Sequence, residues 1–505
     1  MDDAPALMLD PEVFRALGYQ AVDLAAAHLA GMREAPVFRP MPPAARLTLL
    51  EQPLPAKGAA PEEILGRFAA DVLPYPMGNG HPRFFGWVNS PPAPMGILGE
   101  LLAAAMGPSC AGGDHAASYL ERCVVRWLME LVAFPTDGSM GLLVSGGSMA
   151  SLTGLATARQ QAAVDDGWPV RERGLSGWGD HLIMYLSSEA HTTLYKAAEL
   201  LGLGAESVRA IPVRPDCRMD MAALRAAIAA DRAAGLRPFC VVGTAGTVST
   251  GAIDPLDEIA ELCARERLWF HVDGAYGAVG VLDPRVAVQY AGMERADSLA
   301  LDPHKWLSVP VECGCALVRD GALLRDTFSM VPAYLRTEEG KGFGGLPWFS
   351  EYGFQQTRGF RALKLWMTLL HAGRDGLAAM IARQNSLAWE LGELVAAAPD
   401  LELLSDVTLS ICCFRYVPSG RALDDAALDA LNKQIMERVQ AGGAAFLTQA
   451  MVRGRFALRA NVLHYATTRE DIEALAAVVR EIGAGLATPV VALSWRPGLS
   501  ASDTG

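Results

Sequence analysis

The 505-residue sequence has no unbroken apolar run long enough to cross a bilayer, which takes roughly 20 consecutive apolar residues. Its first residues, Met1-Asp2-Asp3-Ala4-Pro5, carry neither the basic nor the apolar stretch of a secretory leader, so a cytoplasmic location is expected. Basic side chains are in the minority, 43 Lys and Arg against 56 Asp and Glu, for a net charge of −13. No dense Lys/Arg stripe appears either, so no nucleic-acid partner is expected. The nine cysteines include no CxxC pair and no metal-ligand spacing. Cys313-Gly314-Cys315 and Cys412-Cys413 are too short to hold zinc without further ligands, so no metal site is expected. Buried, reduced thiols are the simpler reading. Internal repeats are lacking too.

What the chain has is apolar bulk. Hydrophobic residues make up 51% of it, ample core for a large α/β domain with smaller appendages. Its organising stretch runs from Trp269 to Leu307. Trp269-Phe270-His271-Val272-Asp273 reads as a buried strand cut off by the small residues Gly274 and Ala275. An acid at the carboxyl end of such a strand points into the crevice where open α/β sheets bind ligands. Asp302-Pro303-His304-Lys305-Trp306 closes the stretch. Lys305 follows Asp273 by 32 residues, room for one helix and one more strand, so it can return to that crevice. Taken singly, Asp-Gly is often only a turn, and a lysine beside tryptophan usually rests its stem on the ring. Together they suit pyridoxal 5'-phosphate. A lysine can hold the cofactor covalently, and a buried aspartate can keep the pyridine nitrogen protonated so that the ring draws electrons from Cα.

Neighbouring segments fit the same crevice. Gly141–Val144 is a short strand, and Ser145-Gly146-Gly147-Ser148 leads into a helix from Met149 to about Gln161. Small residues there let the backbone approach a phosphate at a helix start, which makes Gly147 and Ser148 candidates. His181–Tyr185 is a strand running on to His191. Phe239–Gly243 is another, ending in Thr244-Ala245-Gly246-Thr247, with a helix from Pro255 to Arg265 after it. Cys315–Val318 is a further strand. The alternation of strand and helix predicts a mostly parallel sheet covered on both faces.

The flanks read differently. Phe14–Leu29 has helical periodicity, Pro36–Pro55 is too proline-rich for regular helix, and Pro61 opens another helix. Arg336–Glu351 is charged and glycine-rich, a mobile lid rather than a packed element. Beyond it, helices over Ala362–His371, Arg383–Ala397, Asp424–Gln440 and Arg469–Gly483 alternate with strands over Ser410–Tyr416 and Phe456–Ala460. They predict a small α+β domain on an antiparallel sheet. Arg459 suits a substrate carboxylate or, more simply, a structural ion pair. The chain after Pro489 reads as a frayed tail.

His271-Val272-Asp273 and Asp302-Pro303-His304-Lys305-Trp306 resemble the signature of the group II pyridoxal-phosphate-dependent amino acid decarboxylases, nearest the aromatic-L-amino-acid branch. The resemblance runs from about Phe14 to about Ile482. It implies an α/β protein of fold-type I, aspartate aminotransferase-like, with a large mostly parallel seven-stranded sheet. Residues 1–88 would form an N-terminal dimerisation arm, 89–365 the large cofactor domain, 366–488 the small domain and 489–505 a tail. It also implies a homodimer with active sites at the interface. The implied reaction turns an L-amino acid into its amine and carbon dioxide, with tryptophan, tyrosine, phenylalanine or dopa as substrate. An aldehyde synthase, or a decarboxylase of aspartate, glutamate or histidine, is the alternative.

By the same resemblance the catalytic residues are Lys305, Tyr334, His191 and Asp273. The cofactor-binding set adds Gly147, Ser148, Thr247, Ala275, His304 and Asp302. Trp87, Ser90, Ser109, Ala111 and Thr357 belong to the substrate pocket. Ser109 and Ala111 replace bulky apolar residues that the aromatic branch carries on a helix contributed by the partner, so the pocket is wider or more polar. Met149 stands where the family usually has Glu. Arg358 and Arg361 match an Arg-x-Phe-Arg element before the C-terminal domain. Related aldehyde synthases often replace the lid tyrosine by Phe or lose the stacking histidine; this chain keeps both.

Overall fold

The apolar runs of the sequence become the strands of two sheets in a computed structural model that describes residues 7–331, 341–420 and 422–487. The larger sheet holds β1 (Met140–Val144), β2 (Leu182–Ser187), β3 (Val208–Ile211), β4 (Arg237–Thr244), β5 (Trp269–Asp273), β6 (Ser298–Leu301) and β7 (Gly314–Val318). They lie in the order β1-β7-β6-β5-β4-β2-β3. Only β7 runs against the rest. This is the mostly parallel seven-stranded sheet expected of fold-type I.

Successive residues of one strand serve different cores, which is why the strands read as continuous apolar runs. Val241, Phe270 and Val272 pack into one core with the helix Ala116–Leu131. Cys240, Val242 and Trp269 pack into the other with the helix Gly147–Asp165. Parallel strands also end together, so Thr244 lies opposite Asp273 in register and Asp273 opposite Ala300. One edge of the sheet therefore collects the chemistry.

Several expectations need correction. Between Asp273 and Lys305 the predicted strand is present, but three short 3-10 turns replace the predicted helix: Ala278–Leu282, Ala287–Tyr290 and Met293–Arg295. Gly277, Gly280, Pro284 and Gly292 punctuate this stretch too closely for an α-helix. Pro43–Leu50 is helical despite the surrounding prolines, because Pro43 occupies the first turn, where a missing N–H costs nothing. The two helices expected after Arg361 form one run, Arg361–Ala397, bent where Gly373 adopts φ 64° and ψ 166°.

The second sheet is antiparallel: β8 (Leu401–Leu403), β9 (Ile411–Tyr416), β10 (Thr448–Val452) and β11 (Arg455–Asn461), in the order β10-β11-β9-β8. Helices Asp425–Gly442 and Arg469–Ala487 supply residues to its core. Residues ahead of the large sheet tie into it, since Phe85 N–H donates to Phe446 O at 2.7 Å and Asn461 N–H donates to Phe85 O at 3.0 Å.

Helices Pro11–Gly31, Pro43–Leu50 and Pro61–Arg67 contain no fully buried residue. Phe14, Tyr19 and Ile64 among them are exposed, as is Phe68 just beyond the third helix. A cavity of about 750 Å³ opens between this arm and the loop Val309–Val311, lined largely by small and apolar residues.

One buried ion pair locks the large sheet to the start of the long helix. Arg358 and Glu121, side chains 1% and 0% exposed, pair through the two terminal guanidinium nitrogens. Arg358 also donates to Cys110 O at 2.9 Å and to Leu143 O, while Glu121 accepts from Leu143 N–H at 2.9 Å.

Candidate active site

A cavity of about 360 Å³ opens where β1, β4, β5 and β6 end, and Lys305, Asp273, His191, Gly147, Ser148, Ala275, His304, Asp302 and Trp87 all line it. Residues as far apart in sequence as Gly146 and Lys305 meet there because parallel strands deliver their carboxyl ends to one edge.

Lys305 sits in a tight turn after β6, where its N–H donates to Asp302 O at 2.9 Å. Its Nζ lies 2.9 Å from Asp302 Oδ2. His304 Nδ1 accepts from Cys313 N–H at 3.0 Å, so the ring proton belongs on Nε2, which faces Asp302 Oδ2 at 3.8 Å. Burial lowers the His304 pKa below its ordinary value, with Asp302 opposing. Trp306 anchors the turn from behind. It is fully buried, stacks on Tyr276 at 5.0 Å and donates from Nε1 to Gln384 Oε1 at 2.7 Å.

Asp273, 7% exposed, accepts from Ala275 N–H at 3.2 Å and faces the cavity. His191 Nδ1 accepts from Thr193 N–H at 3.2 Å, leaving the proton of the neutral ring on Nε2. Burial of its inner flank lowers the His191 pKa, Asp273 opposes this, and Lys305 adds to it.

The turn at Gly146–Gly147 is shaped for close approach. A Cβ on Gly147 would lie 2.7 Å from Ala275 Cβ and 2.8 Å from Asp302 Oδ2. The helix that follows makes its first bonds from Met149 and Ala150 N–H to Gly146 O. The N–H groups of Gly147 and Ser148 therefore project from the helix start, a suitable cradle for an anion. Met149 packs against the core on that face of the sheet, so an apolar side chain is at home there.

Other expected residues fall elsewhere. Thr247 does not line this cavity; its hydroxyl is buried 3.1 Å from Thr250 Oγ1, within the turn that follows β4. Ser90 lines the 750 Å³ cavity beneath the arm instead, with its hydroxyl donating to His304 O at 3.2 Å behind the lysine turn. Ser109 and Ala111 are not helical. Gly107, at φ 57°, caps the helix Pro94–Met106, and Pro108 follows, so both lie on a loop. That loop packs on residues 343–358: Cys110 N–H donates to Arg358 O at 2.8 Å and Ser350 N–H donates to Ala111 O at 3.1 Å. Thr357 and Ser109 are exposed there, away from the Lys305 cavity.

Tyr334 lies outside the described residues, as does the first part of the expected lid. The described part, from Lys341, is packed rather than free. A Cβ on Gly112 would lie 2.3 Å from Trp348, and one on Gly113 would lie 2.1 Å from Phe343, so these two glycines admit the two rings. Arg459 is corrected as well. It is buried without a carboxylate, donating to Trp87 O at 2.9 Å and Ser249 O at 3.2 Å, with Nη2 unpartnered.

Of the two hydroxyls that close this strand in the sequence, Thr244 rather than the expected Thr247 reaches the cavity. It lines the cavity opposite Asp273 in register, its Oγ1 is buried and unpartnered, and its N–H donates to the buried Asp254 at 2.9 Å. Ending the strand one residue earlier, at Gly243, hid its position. Trp87 adopts φ 47°, an uncommon conformation for a bulky residue. Arg459 and Asn461 both donate to its carbonyl, the latter also at 2.9 Å, and hold its ring at the cavity mouth.

These residues fit pyridoxal 5'-phosphate. An amine for an aldehyde, a buried acid for a ring nitrogen and a helix start for a phosphate share one small cavity, with Asp302 Oδ1 and Thr244 Oγ1 still lacking partners. Among the described residues, no group of three or more His, Cys, Asp or Glu side chains is placed to hold a metal ion.

Residues 43–417 match the pyridoxal-dependent decarboxylase conserved domain. The chain is 33% identical over 468 residues to an aromatic-L-amino-acid decarboxylase of Bacillus atrophaeus, covering 92% of this chain and 94% of that one. It is also 33% identical over 438 residues to an L-2,4-diaminobutyrate decarboxylase of Rhizobium meliloti (strain 1021), covering 86% and 85%. The crystal structure of Oryza sativa TDC with PLP and tryptamine superposes with a TM-score of 0.89 at 27% identity, over 96% of this chain and all of that one. Matched along nearly its whole length and holding the cofactor's chemistry in one cavity, the chain belongs to the pyridoxal-dependent decarboxylases and is a pyridoxal-phosphate-dependent amino acid carboxy-lyase.

Proposed function

We propose that this enzyme decarboxylates an aromatic L-amino acid, with tryptophan, tyrosine, phenylalanine and dopa as the substrate class and a lean towards indole. The observation that carries the reading is the Trp87 ring, held half-exposed at the mouth of the Lys305 cavity by two donors on its carbonyl. An aromatic wall fixed in this way suits stacking on a flat side chain.

Bound pyridoxal 5'-phosphate supplies an electron sink for the bond between Cα and the carboxylate. Lys305 anchors the cofactor covalently and yields its place to the substrate amine. Asp273 holds a proton at the pyridine nitrogen. Gly147 and Ser148 offer N–H groups to the phosphate, His304 and Ala275 wall it in, and Thr247 supports the turn that carries Thr244. His191 covers the ring, and its Nε2 proton meets the substrate carboxylate. Tyr334 returns a proton to Cα.

Two copies complete the site in this reading. The exposed apolar side chains of residues 1–88 wrap a partner, and the loop bearing Ser109 and Ala111, with the adjoining segment that carries Thr357, closes over the partner's cavity. Residues 89–365 form the cofactor domain and 366–488 the small domain. Among the described residues no helix is long and apolar enough to cross a membrane, and all nine cysteines are free. Both fit a cytoplasmic enzyme.

A second reading is favoured by the unpartnered Nη2 of Arg459 beside Trp87: a substrate with a second carboxylate, such as aspartate or glutamate. The test is a panel of amino acids, following carbon dioxide, amine, aldehyde and peroxide together. Aromatic substrates should turn over fastest with amine and carbon dioxide in equal amounts. Faster turnover of aspartate or glutamate than of every aromatic would sink the aromatic reading, and peroxide matching carbon dioxide would identify an aldehyde synthase.

A further inference from the structure

The carboxylate of Asp302, placed by resemblance among the cofactor-binding residues, lies directly against the reacting atom of Lys305. Its side chain is 2% exposed, Oδ2 lies 2.9 Å from Lys305 Nζ, and Oδ1 is buried without a hydrogen-bond partner. We propose that Asp302 is the acid and base that carries the proton of Lys305 whenever that lysine joins or leaves the cofactor; this rests on the reading of Lys305 as the point of attachment.

The chemistry requires such a group. A lysine ammonium has no lone pair and cannot attack an aldehyde. Asp302 Oδ2 removes one proton from Nζ, and the freed lone pair forms the bond from nitrogen to the aldehyde carbon. That proton and a second one from the nitrogen then depart on the aldehyde oxygen as one water while the carbon–nitrogen double bond closes. No electrons are gained or lost. When an incoming amine displaces Lys305, one proton moves from that amine to the departing Nζ, and Oδ2 carries it.

The neighbouring groups cannot replace it. His304 Nδ1 is occupied by Cys313 N–H, so the nitrogen facing Asp302 already bears a proton and has no lone pair to offer. Asp273 and His191 also surround the lysine, but among the described residues Lys305 forms its ion pair with Asp302 alone. The place of Oδ2 is fixed from the far side as well, because a Cβ at Gly147 would come within 2.8 Å of it. That glycine lets the carboxylate sit against the turn while still reaching the amine.

Attachment is read by mixing cofactor-free protein with excess pyridoxal 5'-phosphate and following the yellow absorbance of the protein-bound form by stopped flow. Asp302→Asn keeps the size and one acceptor oxygen but takes no proton. It should reach the same final absorbance about a hundredfold to ten-thousandfold more slowly, the usual worth of general acid–base catalysis. In Asp302→Ala, added formate should restore speed, which a merely structural role would not produce. Attachment of Asp302→Asn at the wild-type rate, or an Asp302→Ala variant indifferent to formate, overturns the proposal. Lys305→Ala separates the two claims: continued covalent attachment in that variant means that the lysine reading itself has failed.

Discussion

Replacing Glu121 by Gln should destabilise the protein more than any surface change, and the reason can be followed atom by atom. Arg358 is enclosed by Glu121, Cys110 O and Leu143 O. The substitution is nearly isosteric but leaves a guanidinium charge buried without a counter-ion. Breaking one half of a buried pair in this way typically costs about 3–5 kcal/mol. A whole domain is stable by only about 5–15 kcal/mol, so the loss is large. It should appear as a lower urea midpoint with an unchanged slope, measured at one fixed protein concentration. The double variant Glu121→Gln with Arg358→Met should recover much of the loss, since removing both charges avoids the uncompensated one. A single variant within about 1 kcal/mol of wild type, the range of an exposed pair, would refute the reasoning. The same change should weaken the grip on the loop bearing Ser109 and Ala111, through the lost order at Cys110.

Two further outcomes are expected. Tyr334→Phe should bind cofactor and substrate nearly normally while amine formation falls by about a hundredfold to ten-thousandfold, with aldehyde and peroxide appearing in a product assay; unchanged amine production would place the proton donor elsewhere. Stability should also fall with acid. Burial pushes His271 and His464 down to about 4, from an ordinary 6.5. Their folded-state values are depressed, so each contributes stability that is whole above pH 6.5 and lost as pH falls towards 4. The loss is about 2 kcal/mol each by about pH 5, and urea midpoints that do not move between neutrality and that pH would contradict it.

That Lys305, Asp273, His191 and Gly147 share one cavity was legible in the sequence because it depends on local signals. A five-residue strand of aromatic and β-branched residues ended at Asp273 as expected, and the His-Lys-Trp turn and the Gly-Gly helix start each declare themselves in a few positions. The substrate side was not. Whether Ser90 or Thr247 faces the cavity depends on how separate segments pack, and neighbouring residues point opposite ways. The resemblance puts Ser109 and Ala111 on a helix, yet in this chain Gly107 caps that helix and Pro108 follows it. Arg459 was read as one half of an ion pair. Its partners are the carbonyls of Trp87 and Ser249, more than 200 residues away in the chain and without side-chain identity for a sequence to reveal. The strand β6 is only four residues long, too short for periodicity to declare, though the spacing between Asp273 and Lys305 required a strand there.

The central claim is that Lys305 bears the cofactor. The chain suits a direct test because it holds only six lysines, Lys57, Lys196, Lys305, Lys341, Lys364 and Lys433. Borohydride reduction of the yellow holoenzyme, followed by proteolysis and peptide mass spectrometry, should find the reduced cofactor on one peptide, the one containing Lys305, and should find none in Lys305→Ala. Label on any of the other five lysines of the native enzyme, or an undiminished yield in Lys305→Ala, would contradict the account.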